Sequence, residues 1–238
     1  MLLESNSATV NARNKNKETS LHLAMFCDNA ECAKSLILKN ASVNCEDKNH
    51  QTPLHLAVFH GKPELAELLI ANNAKVNAKD NLNQTALHLA SMRGNLECIA
   101  ILLQNAARVN AKSLDDDTPL HLAIHKGSYK SIDILMQQKA DVNARNKQGK
   151  TPMYLAALKG DVYVGKLLVE HQTDILATDN KNQSPLHIAA HKGMAEFMKL
   201  LLEQKPGVSF TNILQVAFTL ADHKSAKKTL KSSSCLHF

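Results

Sequence analysis

Tryptophan is absent from this chain of 238 residues, tyrosine occurs three times and phenylalanine six times. Large rings therefore cannot dominate its core, which must be filled by Leu, Ala, Ile and Val at helical spacing. No apolar run approaches the roughly 20 residues that span a bilayer. The opening Met1-Leu2-Leu3-Glu4-Ser5-Asn6 has no basic stretch followed by a long apolar one, so no secretory signal is visible. The five cysteines (Cys27, Cys32, Cys45, Cys98, Cys235) contain no C-x-x-C pair. An odd count without a disulfide framework points to a reducing compartment, and the cytoplasm is expected, with the nucleus or a host cell also open. Acidic residues are outnumbered, 22 against 28 basic ones, giving +6. That excess suits acidic partners, and equally it aids solubility. Also missing are a Gly-rich phosphate loop, an H-E-x-x-H and a G-x-S-x-G. No enzyme, cofactor or bound metal is expected.

What the chain has is repetition. Thr52-Pro53-Leu54-His55-Leu56-Ala57 returns thirty-three residues on as Thr85-Ala86-Leu87-His88-Leu89-Ala90. It recurs from Thr118, Thr151 and Ser184, and once earlier from Thr19. Six copies stand at one unbroken spacing. Within a copy, Thr52 is placed to cap a helix and Pro53 suits its first position. Leu54, Leu56 and Ala57 give a short helix with a small-residue side, and Gly61 ends it in a left-handed conformation. Glu64, Leu65, Leu68, Leu69 and Ile70 form a second amphipathic helix. Asn72-Asn73-Ala74 turns into an extended segment over 75–78, and 80–83 is a tight turn. One such unit cannot bury both its faces, so units must stack.

This period and its T-P-L-H-x-A core resemble the ankyrin repeat, over nearly the whole chain. The resemblance implies an all-α solenoid of helix-turn-helix units with protruding β-hairpin loops. Residues 1–13 read as a partial N-terminal repeat or cap, with Leu2 and Leu3 in the register of Leu68 and Leu69. Six repeats fill 14–210, a degenerate capping repeat 211–230 and a disordered tail 231–238. It also implies a non-catalytic module that binds a protein, and a monomer is expected. In the family the motif histidine ties neighbouring helices together through its own Thr and nearby backbone. His22, His55, His88, His121 and His187 are therefore structural, and one repeat spacing keeps them too far apart to share a metal. Cys32 and Cys98 share one repeat position with Leu65, Val164 and Phe197 and read as small core residues.

Departures from the pattern mark the rest. The first unit has Asp28 where later ones have Gly61, Gly94, Gly127, Gly160 and Gly193. The fifth has Tyr154 for the histidine, and the sixth has Leu176 for the recurring asparagine. In the family, partners dock on the concave surface made by loop tips and first helices. The positions there read His60, Arg93, Lys126, Lys159 and Lys192 before the glycine, with Phe59, Met92 and His125 one residue earlier. Lys79, Lys112 and Arg145 recur at the loops, and Leu114 joins Phe59 and Met92 as an apolar anchor. These residues define an expected basic groove for an acidic protein segment, set against a merely solvated basic face. Nucleic acid is disfavoured for want of aromatics to stack on bases.

Two modification sites are also read. Asn77 and Asn110 resemble the family's asparaginyl-hydroxylation sites. Cys235-Leu236-His237-Phe238 has the form of a prenylation box, although His237 is not the aliphatic residue expected there. The alternative to an adaptor is accordingly a membrane-anchored or secreted effector acting on host proteins.

Overall fold

A computed structural model describes residues 7–204. Leu2 and Leu3, the capping repeat over 211–230, the tail over 231–238 and Cys235 lie outside the described residues. The chain divides into two compact units, residues 1–140 and 141–238. The described part of each is all-α, with thirteen helices in total and no residue in a strand.

The first unit contains α1 (Ser7–Val10), α2 (Ser20–Phe26), α3 (Ala30–Leu38), α4 (Pro53–Phe59) and α5 (Pro63–Ala71). It continues with α6 (Ala86–Arg93), α7 (Leu96–Gln104), α8 (Pro119–Lys126) and α9 (Tyr129–Gln137). From α2 onward the helices pair as first and second members of a repeat. The first helices α2, α4, α6 and α8 pack side by side, as do the second helices α3, α5, α7 and α9. Fully buried Leu21, Met25, Leu54, Leu65, Leu87, Ile99, Leu120 and Ile132 fill the spaces between them. Ala57, Ala90 and Ala123 have no exposed surface, so small side chains let first helices approach closely. The second unit contains α10 (Pro152–Lys159), α11 (Val162–Glu170), α12 (Pro185–Lys192) and α13 (Ala195–Glu203), paired in the same way. Its core holds Met153, Val164, Leu168, Phe197 and Met198.

Each first helix starts as its sequence requires. The Thr52 N–H donates to Nδ1 of His55 at 3.1 Å, and the Thr52 hydroxyl lies 2.9 Å from the same nitrogen. Nδ1 thus faces donors, which leaves the proton on Nε2. Nε2–H then donates to the carbonyls of Ala78 and Gln84 at 3.1 and 3.3 Å. His22 and His88 repeat the arrangement onto Gln51 and Asp117. In these three repeats the motif histidine therefore fastens the helix start to the loop leading into the next repeat. Burial lowers the pKa of His22, His55 and His88, against the opposing pull of these carbonyls.

Three expectations need correction. The connecting loops are turns and not β-hairpins: across the loop at 80–84 a single backbone bond, Asp80 N–H to the Gln84 carbonyl at 2.9 Å, stands beside the turn bond from Asn83 N–H to the Asp80 carbonyl. One rung is not a ladder. Residues 75–78 are not extended either: Val76 and Asn77 form a turn, closed by Ala78 N–H to the Lys75 carbonyl. The third concerns Cys32, which is exposed while Cys98 is buried. Among the described residues no preceding second helix covers α3, so the position that hides Leu65 and Phe197 is open here. Leu23 is 46% exposed for the same reason, against 5% for its equivalent Leu56.

Candidate functional site

In the first unit the residues at one repeat position stand in a row. Cys27, His60, Arg93 and Lys126 stand at the C-terminal ends of four packed first helices, and all four are exposed. Side chains connect along the row. The Phe26 and His60 rings meet edge to face at 5.0 Å between centroids, and His60 meets Phe59 likewise at 5.3 Å. The guanidinium of Arg93 lies over the Phe59 ring, 3.8 Å from its centre. Phe59 and Met92 are half-buried, and His125 is exposed beside Lys126. Partial burial together with the charges of Arg93 and Lys62 lowers the His60 pKa. That shift favours the neutral ring, and its edge-to-face contacts make it a packing surface.

Phe26 was missed by the sequence reading, although it is 47% exposed and begins the row. Its signal was available, since it precedes Cys27 as Phe59 precedes His60. Leu82 was missed too. It stands at the loop tip next to that of Leu114, whose N–H donates to the Leu82 carbonyl at 2.7 Å. Both leucines are about half exposed. Lys79 and Lys112 are exposed, and the Lys79 ammonium donates to the Lys112 carbonyl at 3.2 Å.

In the second unit Lys159 and Lys192 end α10 and α12 and are exposed. Arg145 donates through Nη2 to the Thr178 carbonyl at 2.6 Å. Here Tyr154 stands in for the motif histidine. Its hydroxyl hydrogen-bonds to Asp179, and burial followed by that carboxylate pushes its pKa up to about 12. Burial raises the Asp179 carboxyl, but the N–H groups of Gln183 and Lys181, then Tyr154 and Lys150, outweigh it and leave the pKa lowered.

The loop asparagines are occupied by the architecture. Asn77 accepts from Arg108 N–H at 2.8 Å and donates to the Ala106 carbonyl at 3.0 Å, both in the next repeat. Asn44 does the same with Lys75 and Asn73, and Asn110 donates to the Lys139 carbonyl at 3.4 Å. Leu176 has no polar side chain to continue the series and is exposed.

A cleft of about 600 Å³ on the first repeat is lined by Leu23, Ala24, Cys27, Cys32 and Leu36 among others, and it is the uncovered face already noted. Among the described residues no group of three His, Cys, Asp or Glu could hold a metal ion. No described helix is long and apolar enough to cross a membrane.

Fold and surface together define a helical repeat protein, in which packing residues recur and exposed positions vary. The particular family follows from comparison. A model of ankyrin repeats (3 copies) matches residues 1–80, 79–146 and 138–212, and the chain belongs to the ankyrin-repeat family. Repeats of this family are protein–protein interaction modules. Among curated proteins no relative matches the chain.

Proposed function

We propose that the chain is a non-catalytic adaptor whose first unit binds an acidic protein segment carrying an apolar or aromatic side chain. The observation that carries this reading is the connected row Phe26, His60, Phe59 and Arg93, continued by Lys126. A guanidinium stacked on a ring is held in place before any partner arrives, so little side-chain freedom is lost on binding. Arg93 and Lys126 supply charge, while Phe26, Met92 and the leucines at the loop tips supply apolar area. The same basic residues also suit the negative ends of their helices, which explains their presence without a partner. It does not explain the exposed aromatic edges beside them.

The experiment is selection from a displayed random-peptide library against the whole chain. Enriched peptides should combine Asp or Glu with Trp, Phe or Leu. Their affinity should fall about tenfold or more in R93E/K126E and fall with added salt. Adding K159E tests whether the second unit takes part in the same binding. Enrichment of peptides lacking acidic residues, or equal binding by R93E/K126E, would reject the surface.

A further inference from the structure

A second site lies in the second unit, away from the row just described. Turns 146–150 and 179–183 face one another across a cleft of about 470 Å³, lined by Lys147, Gln148, Lys150, Tyr154, Lys181 and Gln183, with Asp179 and Asn180. Three lysines and one carboxylate line it, leaving a formal charge of +2. That carboxylate is turned inward. Asp179 is 5% exposed and accepts the N–H groups of Lys181 and Gln183 at 2.8 and 2.9 Å, besides its bond to Tyr154. The opening therefore presents the Lys147 and Lys181 ammonium groups and the amides, while Lys150 helps to hold the Asp179 charge. The Lys150 ammonium sits 5.6 Å from the centre of the Tyr154 ring, which forms part of the floor. Lys147 and Lys181 are exposed and make no ion pair among the described residues.

The cleft is held in shape. Asn180 N–H donates to the Gln148 carbonyl at 3.0 Å, and its side-chain amide donates to the Lys147 carbonyl at 2.7 Å. Gly149, at φ +75°, leaves room for the Asn180 side chain, since a Cβ there would lie 2.4 Å from Asn180 Oδ1 and 2.8 Å from its backbone nitrogen. Nor does the repeat require this chemistry. The position of Lys150 holds Glu18, Gln51, Gln84, Asp117 and Gln183 elsewhere, and that of Lys181 holds Asn16, Asn49, Leu82, Asp115 and Gln148. Tyr154 replaces histidine at this one place. The departures from the pattern gather around one preformed basic cleft.

We infer that this cleft binds a small ligand bearing two or more adjacent phosphate groups. Its volume falls in the range of small-molecule sites and exceeds what a single phosphate fills. Lysines act on such groups as mobile point charges, and the amides of Gln148 and Gln183 add neutral donors.

Calorimetric titration of the whole chain with tripolyphosphate at physiological salt, and sedimentation with vesicles containing phosphatidylinositol bisphosphate, test this. One-site binding to either probe, weakened about tenfold or more by K147Q/K181Q, supports the site. Tripolyphosphate binding assigns a free ligand, and vesicle binding alone a lipid headgroup. The control is K15Q/K48Q, at the matching loops of the first unit, whose binding should stay at the wild-type level. Both variants alter exposed side chains, and an unchanged Tm confirms that they fold. No binding to either probe overturns the inference, as does equal loss in both variants, which would mean only general charge attraction.

Discussion

Asp28 shows what one residue can cost a repeat. Its φ of 50° places a side chain in the left-handed region that glycine occupies at five later copies. An ion pair with Lys62 at 2.7 Å offsets little, because the Asp28 side chain is more than half exposed. Asp28→Gly should therefore stabilise the first unit by about 0.5–1 kcal/mol, read as a higher urea midpoint. The histidines make a second prediction. His22, His55 and His88 have lowered pKa values because they are buried, so as pH falls the unfolded chain takes up protons first. Their contribution is complete above the ordinary value of 6.5 and is lost as pH falls toward the folded values. Stability, followed as Tm, should drop between about pH 7.5 and pH 5, the free energy of unfolding falling by at most about 1.4 kcal/mol per pH unit for each ring. His55→Gln should flatten that slope while lowering Tm at neutral pH. Both residue types were legible in the sequence, since the repeat itself says what Asp28 replaces and the ankyrin resemblance implies what His55 touches. The role of Tyr154 was not, because a single substitution does not say where its longer side chain reaches.

At the scale of helices and loops, the sequence dictates structure where neighbours repeat and leaves it open where a neighbour is missing. Helix starts at Thr52 and helix ends at Gly94 follow from local chemistry alone. Cys32 does not, because its burial depends on an adjoining helix that no described residue supplies. Thiol labelling makes the contrast measurable. Cys32 should react at the rate of an open thiol. Cys98 is buried and its pKa is pushed up to about 11 by that burial and by Glu97, so it should react only on unfolding. The loops were misread as hairpins because their polar residues suit strands' ends and tight turns alike. What shapes them is backbone and side-chain bonding from one loop to the next. Asn77→Ala leaves Arg108 N–H and the Ala106 carbonyl without these partners, and it should cost about 1–2 kcal/mol by urea denaturation.

For the molecule as a whole, the thirty-three-residue period makes the fold plain from the sequence alone. The same period aligned the exposed columns from which the proposed docking residues are read, but it does not say which of those side chains touch. The row through Phe59 and Arg93 emerged once geometry showed which exposed groups touch. The cleft at Lys150 emerged from residues that are unremarkable one at a time.

The bonds that join repeats span fixed distances along the chain. Asn44 reaches Asn73 across 29 residues and Lys75 across 31, and Asn77 reaches Ala106 and Arg108 across the same two intervals. Such a molecule counts in whole copies. Duplicating residues 52–84 in frame should leave each old and new partner at its proper interval, and a longer protein should fold. Deleting one residue from a loop puts the downstream partners out of step at that junction. Growth and shrinkage by complete copies is thus the change in length this architecture absorbs most readily.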